Sequence, residues 1–273
     1  MKQNIVPLSQ GYGASRRASP IGRSINKCRE RRGSVQTTYA KVSFQGGNFV
    51  TGSDRMPIIR FPDLSLATPE GIVAAGGDLH PDSLLLAYSH GIFPWPHQGL
   101  PLLWFSPDPR AILEFDRLHI SRSLQHAKRQ ASRKGWTFTI DRAFDDVVRL
   151  CAEVPRAQHG TWITPDMHAA YSEFHRLGHA HSVEAWHQGR LAGGIYGVDA
   201  GGAFAGESMF HLESNASKLA LLHLIDHLAE RGLEWMDIQV LSPHLESLGA
   251  RAISRVEFIR RLEMARQRGL RLF

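Results

Sequence analysis

Three polar side chains stand where the residues around them read as buried strand. In Phe204-Ala205-Gly206-Glu207-Ser208-Met209-Phe210, one carboxylate lies among apolar and small residues. Period-two alternation puts Ala203, Ala205, Glu207 and Met209 on one face. A carboxylate beside a Met would form the charged edge of an apolar pocket, able to accept a proton or hold a cation. The plain alternative is an edge-strand Glu turned to water. In residues 233–241, alternation sets Trp235, Asp237 and Gln239 on one face and Met236, Ile238 and Val240 on the other. Asp237 and Gln239 read either as a structural hydrogen-bonded pair, since buried polar groups need partners, or as a site facing Glu207 across a sheet.

Those strands need neighbours, and the pattern supplies them. Residues 181–210 predict a three-strand antiparallel meander with turns at Gln188-Gly189 and Asp199-Ala200-Gly201-Gly202. A helix over 215–231 carries Leu221, Leu222, Ile225 and Leu228 on its core stripe and stops at Gly232. Upstream, residues 136–140 read as a strand, followed by a helix capped by Asp141 with Phe144, Val147, Val148 and Cys151 inward. Residues 160–165 read as a short strand leading into a helix to 177 that carries Met167, Ala170, Tyr171 and Phe174. Ser254-Arg255-Val256-Glu257 is a capping box opening the last helix. The order β, α, α, β-β-β, α, β, α predicts an α+β fold, a mixed sheet with helices on both faces.

The first part of the chain is different in texture. Residues 1–55 hold ten Lys or Arg against two acidic residues, whereas residues 56–273 hold 22 against 24. The net charge of +6 thus belongs to an Arg- and Ser-rich leader expected to be disordered, either a transit peptide or upstream sequence before a true start at Met56. A nucleic-acid argument from overall charge therefore fails. Residues 56–110 read as a small N-terminal domain with a helix near 83–88 and two proline-stiffened aromatic loops, and 111–273 as the main domain. Ser121 caps an expected helix over 122–134, where Arg122, Lys128, Arg129, Arg133 and Lys134 cluster without an acidic residue among them. That cluster is either a solvated face or a phosphate-backbone contact. His175, His179 and His181 have no carboxylate or Cys beside them in sequence, so no metal is expected. No apolar run is long enough to span a membrane. Two cysteines without metal-type spacing suggest a reducing compartment, hence the cytoplasm.

Ten short blocks make a family recognisable: Gly76-Gly77-Asp78-Leu79, Gly91-Ile92-Phe93-Pro94-Trp95, Trp104-Phe105-Ser106-Pro107-Asp108-Pro109-Arg110, Leu118-His119-Ile120-Ser121-Arg122-Ser123, Gly160-Thr161-Trp162-Ile163-Thr164, Gly178-His179-Ala180-His181-Ser182, Gly206-Glu207-Ser208-Met209-Phe210, Asn215-Ala216-Ser217-Lys218, Asp237-Ile238-Gln239-Val240-Leu241 and Ser247-Leu248-Gly249-Ala250. In this order, from about Phe61 to Leu262, they resemble leucyl/phenylalanyl-tRNA–protein transferases. The resemblance implies a small N-terminal domain on an acetyltransferase-like (GNAT) domain. It implies transfer of Leu or Phe, and less well Met, from aminoacyl-tRNA to the α-amino group of proteins beginning with Arg or Lys, marking them for degradation. The partners implied are Leu-tRNA, Phe-tRNA and those acceptor proteins, with no cofactor and a monomeric enzyme. It implies Glu207, Asp237 and Gln239 as catalytic, and Tyr88, Trp95, Trp162, Tyr171, Met209 and Ile195 as the aminoacyl and adenosine pocket. The basic helix would grip tRNA. Phe105 stands where the family often has a second Trp, and the leader and the C-terminus at Phe273 also depart from the pattern.

The chemistry suits the residues. Aminolysis of an activated ester is downhill and needs no ATP, metal or protein nucleophile. It needs a neutral amine, oxyanion stabilisation and a proton for the leaving 3′-oxygen. Gln239 has no useful basicity, so Glu207 is the candidate proton acceptor or the clamp for a cationic acceptor. Two rivals are an acetyl-CoA-dependent N-acetyltransferase and a non-catalytic tRNA- or degron-binding protein. The first would need Arg190-Leu191-Ala192-Gly193-Gly194-Ile195 as its pyrophosphate loop, a match that fails at its last position.

Overall fold

The computed structural model describes residues 49–50, 57–155 and 161–273. The expected leader, Met56 and Gly160 lie outside the described residues, apart from Phe49–Val50. A four-stranded sheet comes first, from β1 (Phe49–Val50) and β2 (Ile72–Gly76), then, after α1 (Pro81–Ser89), β3 (Phe93–Pro94) and β4 (Leu103–Phe105), in spatial order β1-β2-β4-β3. So the last stretch of the expected leader contributes an edge strand, parallel to β2. Pro81 opens α1, and the His80 ring accepts from the Asp82 N–H in place of a usual cap.

A seven-stranded sheet follows. β5 (Arg110–Glu114) leads through α2 (Arg122–Gln130) to β6 (Trp136–Ile140), α3 (Phe144–Glu153) and α4 (Pro165–Arg176). The meander is β7 (Ala180–His187), β8 (Arg190–Asp199) and β9 (Phe204–His211). Then come α5 (Ala216–Glu230), β10 (Trp235–Gln239), the short α6 (Pro243–Glu246), β11 (Arg251–Ile253) and α7 (Arg255–Gln267). The spatial order is β11-β5-β10-β9-β8-β7-β6. Every pairing in this sheet is antiparallel except β9 with β10. The fold is mixed α/β, and from Trp136 onward its element order follows the sequence pattern except for the added strand β11. The expected boundary at residue 110 falls on the first residue of β5.

Several local expectations are corrected. The basic helix ends at Gln130, and Ser132–Lys134 form a separate 3-10 turn. Asp141 does not cap α3. It sits at φ 58, and its carboxylate accepts from the Ser182 N–H at 2.8 Å. The described residues 161–164 form no strand; Thr164 instead caps α4 by accepting from the Met167 N–H. Strands β2 to β5 and β11 went unpredicted, because each is short and lies between turn residues.

Three apolar clusters pack against the large sheet, the smallest under α7 with Ile112, Trp235 and Phe258; the two larger ones flank it. One lies under α3 and α4 and continues into the N-terminal unit, through Tyr88, Trp104, Tyr171, Phe174 and Phe210. The other lies under α5, with Ile195, Met209, Leu221, Leu222, Leu228 and Met236. Each fully buried aliphatic side chain there contributes roughly 1.5–3 kcal/mol, enough to seat α5 firmly. The close seat depends on Gly193: a Cβ added there would lie 2.6 Å from the Ala216 Cβ and 2.9 Å from the Ser217 nitrogen. Gly193→Ala should therefore push the first turn of α5 off β8 and cost about 1–3 kcal/mol in denaturant titration. A variant of wild-type stability would show that the contact relaxes freely.

Candidate active site

The candidate site lies where the two parallel strands part. β9 and β10 share one register pair, Ala205 with Asp237. Two residues further along each strand stand Glu207 and Gln239, and the Gln239 Nε2 donates to Glu207 Oε1 at 2.7 Å. β9 also carries a bulge: Tyr196 pairs with Ser208 and Gly197 with Gly206, leaving Glu207 without a partner position on β8. The extra residue reverses the parity of the strand. Ala205 and Phe210 belong to the α3–α4 core, while Phe204 and Met209 belong to the α5 core. The expectation that Glu207 and Met209 share a face is thus overturned. Glu207 turns toward α4 and Met209 toward α5, where it pairs across strands with Ile195.

On the α4 side, Tyr171 donates to Glu207 Oε2 at 3.4 Å, and the Tyr88 and Tyr171 hydroxyls share a hydrogen bond. A chain of hydroxyls from α1 and α4 therefore ends on the carboxylate. Glu207 is only 2% exposed. Burial pushes its carboxyl up to about 7, the Asp237 carboxylate adding to the rise. The Tyr88 hydroxyl, the Gln239 amide and the Arg110 guanidinium oppose it. Burial, with the Glu207 carboxylate adding, holds both tyrosines well above the usual phenol range, so they stay protonated donors.

Asp237 serves this arrangement indirectly. Arg110, 1% exposed, donates from Nε to Asp237 Oδ1 at 2.9 Å and from Nη2 to Oδ2 at 2.6 Å. The same Oδ1 accepts the Gln239 backbone N–H at 2.9 Å. Gln239 is held at φ 58, a left-handed conformation that favours glycine and costs of order 1–3 kcal/mol. So Asp237 orients Gln239 through its main chain, and a turn rather than the pleat aims the amide at Glu207. The Gln239 Oε1 is buried and has no partner among the described residues. Arg110 was not singled out from sequence. Its signal was an arginine opening the apolar run Ala111-Ile112-Leu113, which requires a buried acid elsewhere.

The remaining expected residues scatter more widely. Trp162 is 7% exposed, and its Nε1 lacks a partner among the described residues. Half-buried Trp95 packs on Phe93, His97 and Phe105 at the edge of the same core as Tyr88 and Tyr171. Arg122, Lys128, Arg129, Arg133 and Lys134 are all exposed. The cluster has an acidic partner after all, since Lys128 is 2.5 Å from Asp226 on α5. His175 and His181 also gain a carboxylate, Asp141, unseen in the linear sequence. These groups already have protein partners: His181 Nδ1 is 2.7 Å from Asp141 Oδ2, and His175 Nδ1 is 2.7 Å from the Ala180 carbonyl.

Comparison with known proteins settles the family. The family model for leucyl/phenylalanyl-tRNA protein transferase matches residues 112–263, and that for its N-terminal domain matches 77–108. A leucyl/phenylalanyl-tRNA–protein transferase of Shewanella sp. (strain ANA-3) is 50% identical over 207 residues, covering 76% of this chain and 86% of that one. The chain belongs to the leucyl/phenylalanyl-tRNA–protein transferase family. Transferases of the same name from Shewanella sp. (strain MR-4) and Shewanella oneidensis are each 51% identical, over 75% of this chain and 86% of theirs. Among solved structures, L-PGS from Bacillus licheniformis aligns with a TM-score of 0.37 at 14% identity, over 59% of this chain and 52% of that one, a likeness too slight to bear on fold or chemistry.

In this family member the Glu207 carboxyl sets a pH test. It titrates near 7 folded, against a usual 4.5. The protonated form therefore stabilises the fold fully below about pH 4.5, and that contribution is lost as pH rises through 7. Glu207→Gln should escape the loss, gaining on the order of 3 kcal/mol over wild type between pH 4.5 and pH 8. Parallel stability–pH profiles for the two proteins would mean that Glu207 titrates like an exposed carboxylate.

Proposed function

We propose that this protein moves leucyl or phenylalanyl groups, and methionyl less well, from the 3′ end of aminoacyl-tRNA to the α-amino group of proteins beginning with Arg or Lys, marking them for degradation. One observation carries the reading: a buried carboxyl near neutrality, bridged to an amide with an open acceptor, at the point where two parallel strands separate. That parting of β9 and β10 within a mixed sheet also supports a GNAT-like arrangement of the main domain.

The residues divide the work by their chemistry. The Gln239 Oε1 accepts an N–H of the incoming amine, and Glu207 takes the proton that must leave as the N–C bond forms. The resulting carboxylic acid returns a proton to the 3′-oxygen as the C–O bond breaks, with the Tyr171 and Tyr88 hydroxyls as donors beside it. A donor aimed at the developing oxyanion is worth roughly 3 kcal/mol. Deep burial and a pKa near 7 favour Glu207 as proton acceptor over clamp for the acceptor's cationic N-terminus. Trp162 and Trp95 suit stacking on the terminal adenine, worth about 1–3 kcal/mol per base. Among the described residues no helix is long and apolar enough to cross a membrane, and action in the cytoplasm fits a tRNA donor. An acetyl-CoA mechanism has no support from its expected loop, because residues 190–195 lie within β8.

Transfer of labelled leucine from leucyl-tRNA to an Arg-initiated peptide is the direct test. Glu207→Gln and Gln239→Ala should each slow transfer by about a hundredfold while tRNA affinity stays within twofold. Lost tRNA affinity would sink the assignment. Charge reversal at Arg122 and Arg129, which unlike Lys128 form no ion pair among the described residues, should weaken tRNA binding and flatten its salt dependence by about one phosphate contact each. An unchanged salt slope would leave α2 a solvated face.

A further inference from the structure

On the α5 side of the parted strands lies a cavity of about 300 Å³, bordered by Met209, His211, Asn215, Ser217, Lys218 and His244. Its lining contains no acidic side chain. Ser217 is 6% exposed, yet its hydroxyl makes no hydrogen bond among the described residues. Half-buried Lys218 has no ion pair there either. The cavity sits at the first turn of the 15-residue α5, whose N-cap Asn215, at φ 68, offers no side-chain cap. A helix start leaves backbone N–H groups and a partial positive charge unsatisfied. Burial and the Lys218 ammonium hold His211 and His244 below the usual imidazole range, His244 down to about 4, so each is a neutral ring with one N–H to give. The nearby Glu213 carboxylate is already taken by His187, at 2.6 Å. Donors and one uncompensated cation converge, and nothing on the wall answers them.

We propose that this cavity binds a phosphate of the donor's polynucleotide, the phosphodiester next to the aminoacylated terminal nucleoside. Lys218 supplies the charge, and the Ser217 hydroxyl and the first turn of α5 donate hydrogen bonds. The donor class rests on the function proposed above. Met209, on the cavity wall, lies two residues past Glu207, about 7 Å along the strand but on its other face, so a ligand reaches both only through the gap where β9 and β10 part. A few bonds join the 3′-ester oxygen to the phosphorus on the 5′ side of the same ribose. A donor with its ester at Glu207 and Gln239 thus brings that phosphate within reach of α5, fixing the reactive carbonyl from a second point.

The experiment compares ligands with and without the phosphate. Wild-type protein should bind 5′-AMP about tenfold more tightly than adenosine, and Lys218→Ala should abolish the preference while Lys218→Arg keeps it. In transfer assays, the kcat/KM advantage of leucyl-tRNA over 3′-leucyladenosine, which lacks the phosphate, should narrow about tenfold in Lys218→Ala and in Ser217→Ala move the same way. An equal preference for 5′-AMP in wild type and Lys218→Ala would overturn the site. Displacement of 5′-AMP by inorganic phosphate or coenzyme A, with the donor ratio unmoved by either substitution, would overturn its assignment to tRNA. If wild type transfers from neither donor, the proposed function falls, and the 5′-AMP comparison still decides whether the cavity holds a phosphate.

Discussion

The buried ion pair between Arg110 and Asp237 is the interaction on which the candidate site depends. Desolvating two charges costs enough that such a pair often adds little net stability, so its importance lies in geometry. Arg110 uses both edges of its fork on Asp237 and gives a third hydrogen bond, at 3.1 Å, to the Gly91 carbonyl. Its guanidinium also lies over the rings of Phe93 and Phe258, at 4.8 and 4.5 Å. The N-terminal unit, β5, β10 and α7 are thereby indexed to one side chain. Asp237, fixed in turn, has a lone pair left for the Gln239 N–H. A residue that would relax to an extended conformation is kept in the one that reaches Glu207.

The same sheet shows what a buried carboxylate looks like when it is only structural. Glu184 is fully buried but accepts from the hydroxyls of Ser182 and Thr139 and from the backbone N–H groups of Arg142 and Ala143. It pins β6, β7 and the start of α3 together. Glu207 receives one close amide donor, the Tyr171 hydroxyl at 3.4 Å and the influence of the Tyr88 hydroxyl, with no backbone N–H on its carboxylate among the described residues. That poverty of donors, at similar burial, lets desolvation dominate its titration.

Periodic segments were legible in the sequence because their signal is repeated. The meander, α4, α5, α7 and the polar interruptions at Glu207, Asp237 and Gln239 all follow from spacing alone. Single-residue irregularities were not. The bulge at Glu207 and the left-handed Gln239 each reverse which way the chain points; Gly206 and its partner Gly197 border the bulge, but no glycine announces Gln239. Alternation therefore gave Glu207 the wrong neighbour, Met209, and reached the right one, Gln239, for a reason that did not apply. Long-range partners were equally hidden. Nothing local ties Arg110 to Asp237, Lys128 to Asp226, or Asp141 to His181.

The hydroxyl chain from Tyr88 through Tyr171 to Glu207 joins the two family-matched segments, 77–108 and 112–263, by atoms that neither could supply alone. Separating them would expose the apolar floor that both share and remove the Tyr88 end of the hydroxyl chain, leaving Tyr171 with Glu207. The N-terminal unit thus supplies one wall of the candidate site. Recombining it with the main unit of a distant relative would require matching that wall, ring for ring, before any transfer could resume.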